Sequence, residues 1–275
     1  MKRIAIIFSA LLLLCSCSKS ADELKIISFN IRYNSYENID GENGWPNRKE
    51  AVVRMIREER PAAIGLQEAL IDQLLYLDSC LSEYRRIGVG RDDGEEDGEF
   101  MAIYYDTTRL ELLWYGTNWL SETHYKPSIG WDAVCCRTVT SAHFRDRYND
   151  KEFEYFNTHL DHVGKTARIE STKLLANWIK GTEPIVPVIL GGDMNSTIDD
   201  TIFNAFYSVG LKPAREMTDS TSNAITYNGY GKEEGKVIDH FFVKDFKVVS
   251  VCTLNGDYGV PYISDHYPIE MVIEL

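Results

Sequence analysis

Ile185-Val186-Pro187-Val188-Ile189-Leu190-Gly191-Gly192-Asp193-Met194-Asn195 is an apolar run that ends on two glycines, a carboxylate and an amide. A run of this make-up reads as a strand buried on both faces, and the paired glycines read as the point where the backbone turns at its end. Asp193 and Asn195 then sit at a strand tip. In open α/β architectures ligands bind outside the carboxyl ends of strands, and an Asp and an Asn two residues apart are placed to share one reacting water. A Gly-Gly-Asp turn on its own says little. Its weight comes from recurrence.

The same pattern of an apolar run discharging into a polar side chain returns along the chain. Residues 24–30 end in Asn30, residues 62–68 in Glu68 and residues 153–159 in His159, while 236–243 carry Asp239 and 260–268 carry Asp265 and His266. Helical patterns lie between them. Asn47 and Glu50 have the spacing of an approximate capping box, and Val52, Met55 and Ile56 give the next helix an apolar face that stops before Pro61. Residues 71–81 read as a helix with Leu74, Leu75 and Leu81 inward, and 164–180 as one with Ile169, Leu174, Leu175, Trp178 and Ile179 inward, closed by Gly181. A further helix is expected over 199–209, closed by Gly210. Strands are expected at 101–105, 112–115 and 134–144, with Arg137 inside the last. Strands alternating with helices give an α/β class.

The 275 residues are 44% apolar and 26% charged, enough for one large core, and no repeat or linker interrupts them. Met1-Lys2-Arg3 and the apolar residues 4–14 form an export signal too short to span a bilayer. Leu14-Cys15-Ser16-Cys17 resembles a bacterial lipobox, which implies a signal peptide over 1–16, lipid on Cys17, a tether over 17–23, and a membrane-anchored protein whose domain spans 24–275. The alternative is a plain secretory signal cut near Ser20-Ala21. Losing Lys2 and Arg3 with the leader takes the formal charge from −13 to −15, which argues against binding nucleic acid through its backbone. Cys80, Cys135, Cys136 and Cys252 lack zinc-type spacing and read as core thiols, with Cys135 and Cys136 on opposite faces of a strand. Residues 92–99 hold six acids in eight positions, a solvated hairpin loop rather than a calcium site because ordered ligand spacing is missing. Trp45, Trp119 and Trp131 are candidate walls for a binding cleft.

Taken together, the polar tips offer only oxygen and imidazole groups. Hard oxygen donors suit Mg²⁺ or Mn²⁺, and Mg²⁺ needs only one or two carboxylates when waters and substrate phosphate complete its shell. This is a phosphoryl-transfer inventory. The sequence holds no G-x-S-x-G elbow, P-loop or H-E-x-x-H helix.

The motifs Ser28-Phe29-Asn30, Gln67-Glu68, Asn157-Thr158-His159-Leu160-Asp161, Gly192-Asp193-Met194-Asn195, Ile238-Asp239-His240 and Ser264-Asp265-His266, in this order, resemble those of the endonuclease/exonuclease/phosphatase superfamily, with its deoxyribonuclease I-like fold. The resemblance implies a four-layer α/β sandwich, two mixed β-sheets packed face to face with helices outside. It implies a metal held mainly by Glu68, with Asn30 and Asp265 as direct or water-mediated ligands. Asp193 would be the base for the attacking water, which Asn195 would help hold. Asp239 would orient His266 toward the phosphoryl oxygens, and His159 would stabilise transition-state charge. Arg137 falls where the family places a phosphate-contacting side chain, though an ordinary buried ion pair fits it too, and Asp161 and Arg168 are candidates beside the substrate. A small phosphorylated compound or a lipid headgroup is the expected substrate. A nuclease, a sphingomyelinase-like phosphodiesterase and a catalytically silent binding lipoprotein are the rival readings.

Overall fold

The computed structural model describes residues 23–36, 39–182, 185–222 and 224–275. The expected leader over 1–16, the lipid on Cys17 and the tether up to residue 22 lie outside the described residues. The first half of the chain runs β1 (Glu23–Asn30), α1 (Trp45–Glu59), β2 (Ala63–Ala69), α2 (Ile71–Cys80), β3 (Tyr84–Ile87), β4 (Phe100–Asp106) and β5 (Leu110–Trp119). The second half runs β6 (Thr138–Asp146), β7 (Glu152–His159), α3 (Lys165–Lys180), β8 (Val188–Asp193), α4 (Asn204–Tyr207), β9 (Lys212–Pro213), β10 (Asp239–Lys244), β11 (Lys247–Thr253) and β12 (Ile269–Glu274).

Two mixed six-stranded sheets result, in the orders β11-β12-β1-β2-β4-β3 and β5-β6-β7-β8-β10-β9. Each has one parallel pair at its centre, β1 with β2 and β7 with β8, and antiparallel strands around it. A parallel pair needs a crossover, and the two longest helices, α1 and α3, supply them.

Side-chain alternation sorts the residues into layers. Ile26, Tyr155 and Ile189 meet between the sheets, whereas their neighbours Ile27, Phe156 and Leu190 point outward. Outside the first sheet, Ile27 and Phe29 pack on Val52, Met55 and Leu74 of α1 and α2. Outside the second, Phe156 and Leu190 pack on Leu175 and Ile179 of α3. Each such fully buried side chain contributes about 1.5–3 kcal/mol, so the four-layer α/β sandwich follows from three apolar interfaces.

Along the central strands the inward-facing positions change character. β1 presents Leu24 and Ile26, then Ser28 and Asn30; β7 presents Phe153 and Tyr155, then Asn157 and His159. At this polar end the sheets are tied by hydrogen bonds. Asn157 Nδ2 donates to Leu66 O and Ala102 O of the facing sheet, both at 2.9 Å, and Gln67 Nε2 donates to Asn157 Oδ1 at 2.6 Å. Gly65 makes room for this, since a Cβ there would lie 2.4 Å from Tyr155 Oη and 2.7 Å from the Asn157 amide.

Several expectations are corrected. The strand before Asp193 begins at Val188, because Pro187 has no N–H for the ladder, and Ile185 is exposed. Gly191 and Gly192 lie inside that strand rather than in a turn, and what they permit is close approach: a Cβ on Gly192 would sit 1.8 Å from Thr158 O. Helix α1 starts at Trp45 with Pro46 in its first turn and no Asn47–Glu50 box; the Asn47 amide donates to Glu42 O instead. Leu75 and Ile169 face solvent. The strand expected from residue 134 begins at Thr138, because the Val134 N–H and the Arg137 guanidinium are drawn to Asp161. Residues 199–209 form a 3₁₀ turn and the one-turn α4. Residues 236–238 and 260–268 are loops, so Asp239, Asp265 and His266 stand at or before the starts of antiparallel strands instead of at strand ends. Strands β3, β9, β11 and β12 escaped the sequence reading. The four described cysteines are free and half-buried rather than core thiols.

Candidate active site

The polar ends of the two sheets frame a cleft of about 600 Å³. Glu68, His159, Asp193, Asn195, Asp265 and His266 line it, and Asn30 and Asp239 lie directly behind. Two of these side chains are aimed by unusual backbone. At the end of β2 the pairing with β4 shifts register between Leu66 and Ala69, and Glu68 adopts a left-handed conformation at φ 62°. The bulge swings Glu68 into the cleft. Asn195, at φ 47°, turns back beneath Asp193. Left-handed backbone in a non-glycine residue costs of order 1 kcal/mol or more, a cost that the hydrogen bonds around each residue offset.

Asp193 is buried at the centre. Its Oδ1 accepts the Asn195 N–H at 2.9 Å and its Oδ2 accepts Asn30 Nδ2 at 3.0 Å. His159 Nε2 and His266 Nε2 stand 3.5 Å and 3.6 Å from Oδ2. Burial, and then the Asp239 carboxylate, push the Asp193 pKa up to about 7. His266 Nδ1 meets Asp239 Oδ2 at 2.9 Å, and the Tyr227 ring packs edge-on against it. Burial opposes charge on His266, but the Asp239 and Asp193 carboxylates outweigh it and push its pKa up to about 10. His159 is driven the other way, well below its ordinary value, by burial and by Arg137 and Arg91. The Asn195 amide is oriented by donating to Leu160 O at 3.0 Å, so the same nitrogen donates to His159 Nε2 at 2.9 Å. His159 is thus a neutral acceptor, and His266 a buried cation.

On the opposite wall Glu68 and Asp265 face the same guanidinium, Arg32, each at 3.8 Å. Arg32 is itself held by Asp40. Burial raises the Asp265 pKa. Carboxylates gathered in a buried corner, with Glu99 also directed into the cleft, make a donor set that fits a hard divalent cation. Asn30 has a further part beside them. Its Oδ1 accepts the Arg32 N–H and its Nδ2 donates to Glu68 Oε1 at 2.9 Å as well as to Asp193, so it orients two carboxylates in addition to carrying an oxygen at the site. Asp193, Asp239 and His266 also bring ligand atoms within 4.8 Å of one another. That group is closed by the bond from His266 to Asp239, which favours the Glu68–Asp265 side for an ion.

The cationic residues of the cleft differ from those expected. Arg137 lines it; its Nε donates to Asp161 Oδ2 at 3.2 Å, its Nη2 meets His162 Nδ1 at 2.8 Å, and its Nη1 has no partner among the described residues. Asp161 is buried and accepts the Val163 and Gly164 N–H groups as well, so it shapes the loop that holds Arg137. Arg168 donates to Asp161 O and does not line the cleft. Arg48, another cation near the motifs, is fully buried and donates to the Asn43, Arg32 and Ile263 carbonyls. Sequence reasoning missed Arg32, Arg91, Glu99 and Lys236. Arg91 and Glu99 flank the acidic loop, joined by a 2.6 Å ion pair, and burial with the nearby Glu68 pushes the Glu99 pKa up to about 7. Trp45 and Trp119 are buried in the body of the protein, and neither they nor Trp131 line the cleft.

Known proteins share this fold. A structure from Bacteroides vulgatus, described as an endonuclease/exonuclease/phosphatase, is 33% identical, covers 92% of this chain and 99% of its own, and superposes with a TM-score of 0.86. A mannosyl-6-phosphatase from Bacteroides thetaiotaomicron is 34% identical over 92% of this chain and all of its own, also with a TM-score of 0.86. An uncharacterised protein of Acanthamoeba polyphaga mimivirus is 24% identical over 91% of this chain. Residues 27–266 match the Endonuclease/Exonuclease/phosphatase family. With a family match over most of its length and the fold of these relatives, the chain belongs to that family of phosphoester hydrolases.

Proposed function

We propose that this protein is a divalent-metal-dependent phosphoesterase acting on a small phosphorylated compound, a sugar phosphate ahead of a lipid headgroup. The observation that carries this reading is the buried Asp193 carboxylate of the cleft, with Asn30 Nδ2 at 3.0 Å, His159 Nε2 at 3.5 Å and the Asp239-held His266 at 3.6 Å, its pKa raised by burial to about 7. Asp193 is the acceptor for the proton of the attacking water, and a base with a pKa near the working pH is well matched to that task. His266 donates from Nε2 to a phosphoryl oxygen while Asp239 fixes its ring. Asn195 and His159 place neutral polar groups around the same point, and the free Nη1 of Arg137 meets a second phosphoryl oxygen. Glu68 and Asp265 would hold Mg²⁺ or Mn²⁺, which when bound neutralises charge developing on the phosphoryl group.

For the substrate, the cleft offers Arg91, Arg137 and Lys236 to a compact anion and Glu99 and Glu233 to hydroxyl groups. That mixture suits a phosphorylated polyol better than a polymer backbone, and the formal charge of −13 opposes long nucleic acid. The 34% identical mannosyl-6-phosphatase supports the same direction. The test is kcat/KM with Mg²⁺ or Mn²⁺ on hexose 6-phosphates, phospholipid headgroups, sphingomyelin and DNA at matched salt. Hexose phosphates should lead. DNA cleaved with the higher efficiency, and abolished by Asp193→Asn, replaces this reading with a nuclease.

Export and anchoring to a membrane, on its periplasmic or cell-surface side, through lipid on Cys17 belong to the same proposal, supported by Leu14-Cys15-Ser16-Cys17 after the apolar stretch. Acyl chains contribute about 0.8 kcal/mol per buried CH₂, so more than one chain holds a protein firmly. Intact-mass measurement of the native protein decides it, with Cys17→Ala moving the protein to the soluble fraction.

A further inference from the structure

A second cavity, of about 430 Å³, opens on the outer face of β5, β6 and β7 and shares no lining residue with the catalytic cleft. Helix α3 covers the outer face of β7 and β8 but leaves β5 and β6 open at this point. The floor there is unusual for a sheet face. Ser141, His143 and Glu154 are each more than nine-tenths buried, yet they are polar, and Val139 and Phe156 lie among them. A face that packed on another element would be apolar at these positions, and one meant for bulk water would be exposed.

The walls are aromatic. The pairing of β5 with β6 slips between Leu112 and Trp114, which sets Trp114 directly opposite His143. Its indole reaches along the strand to Gly116, where a Cβ would come 3.1 Å from ring atoms Cζ2 and Cη2, and the residue is still 55% exposed. Across the cavity stands Trp178 of α3, with the His124 ring packed on it at 5.6 Å. Between them, Glu154 accepts from Thr182 Oγ1 at 3.1 Å and His143 meets Glu152 at 2.9 Å. The Ser141 hydroxyl and the Asn118 amide have no hydrogen-bond partner among the described residues.

We propose that this cavity binds a neutral saccharide, with a sugar ring stacked on the open face of Trp114 and its hydroxyls on Asn118, Ser141, His143 and Glu154. An apolar platform beside a few convergent polar groups is the general form of a small-molecule site, and polar groups with no protein partner can exchange water for the hydroxyls of a ligand. The absence of Lys and Arg from the lining, with Glu154 and Glu152 close by, disfavours anionic sugars. A quaternary ammonium ion needs several open ring faces and no hydroxyl partners. Here His124 occupies one of those faces, and the floor is rich in hydrogen-bonding groups. Burial raises the Glu154 pKa, which suits a carboxyl that exchanges hydrogen bonds with hydroxyl groups. The site does not depend on the catalytic reading, because the two regions lie on opposite faces of β7.

The experiment is saturation-transfer NMR and calorimetry on the full chain with maltose, cellobiose and α-1,6-mannobiose, and with tetramethylammonium as the competing chemistry. At least one disaccharide should bind, and Trp114→Ala should weaken it by about tenfold or more, the scale of one aromatic contact. Ser141→Ala should weaken it as well, while kcat/KM on the best phosphoester stays unchanged in both variants. Because Trp114 is half-exposed its loss leaves the core intact, and an unchanged thermal midpoint verifies this. Failure of all three sugars to bind overturns the proposal. So does sugar binding that survives Trp114→Ala, or tighter binding of tetramethylammonium.

Discussion

Asp193 and Asp239 stand directly opposite each other in the antiparallel pairing of β8 with β10, and His266 touches Asp239 through Nδ1 at 2.9 Å while its Nε2 lies 3.6 Å from Asp193. Two buried carboxylates at one point of a sheet repel each other. A protonated imidazole between them makes the arrangement tolerable, while burial and the facing Asp239 carboxylate still hold the Asp193 pKa up at about 7.

Asp193→Asn should therefore separate activity from stability. Turnover on the best phosphoester should fall on the order of a thousandfold or more, since a base in contact with the reacting water is lost. The loss of stability should be modest, on the order of 1–3 kcal/mol, because the amide oxygen can still accept the Asn195 N–H while the new NH2 faces the Asn30 amide and the His266 imidazolium where a carboxylate oxygen stood. Steady-state kinetics with a melting curve checks both, and wild-type turnover in the variant removes Asp193 from the role of base.

Metal removal should act through Glu68. EDTA should abolish turnover, and adding Mg²⁺ or Mn²⁺ to the chelated wild type should raise its stability by about 2.7 kcal/mol at a hundred times the dissociation constant. Glu68→Ala should fold but lose that increment. A variant that gains as much stability from metal as the wild type places the ion elsewhere, with the Asp193, Asp239 and His266 group as the next candidate.

Gly192→Ala should be among the most damaging substitutions outside the reacting groups. A Cβ there lies 1.8 Å from Thr158 O of the neighbouring strand, at a φ of 148° that L side chains rarely adopt. Moving backbone inside a central parallel pair should cost more than about 4 kcal/mol. Urea unfolding measures it, and a loss under about 1 kcal/mol means the strands can part more easily than their pairing suggests.

Acid sensitivity should trace in part to His240. It is buried with Nε2 against Ser196 O, and burial pushes its pKa from the ordinary 6.5 down to about 4. Between those values the unfolded chain takes up a proton that the folded one refuses. Its contribution is complete above pH 6.5 and is lost as pH falls toward 4, at up to about 1.4 kcal/mol per pH unit. His240→Gln should flatten that slope in urea midpoints measured from pH 7 to pH 4.5, and an unchanged slope assigns the sensitivity to other groups.

The sequence showed the site far better than it showed the strands around it. Glu68, His159, Asp193 and Asn195 reach one cleft because each lies within two residues of the polar end of a central strand, a placement that a run of apolar residues announces, and Asp265 and His266 join them from the loop before β12. What periodicity could not show is direction. Asp239 and His266 look like strand ends, but Ile238 and Pro268 belong to loops and the strands run away from the site. Arg91 and Glu99 were hidden because their neighbours read as a solvated acidic loop, and only the fold turns its two ends inward. Arg168 was misjudged for the opposite reason: a guanidinium near a motif in sequence is as readily consumed by main-chain carbonyls, as that of Arg48 is too.

The Asn157 amide spanning the sheets acts on the chemistry as a gauge block acts on a machine tool. Glu68 and Asp265 ride on one sheet while Asp193 and Asp239 ride on the other, so the gap between sheets is also the gap between the cation-binding corner and the base. Apolar packing lets such a gap drift by tenths of an ångström as side chains repack. The fixed lengths from Asn157 to Leu66, Ala102 and Gln67 do not allow that drift close to the cleft. Tolerance in this protein is thus graded along the sandwich: loose where Ile26 and Phe153 meet, tight where Asn157 stands, and a substitution in the loose half should leave turnover untouched while the same volume change beside Gly65 reaches the reacting atoms.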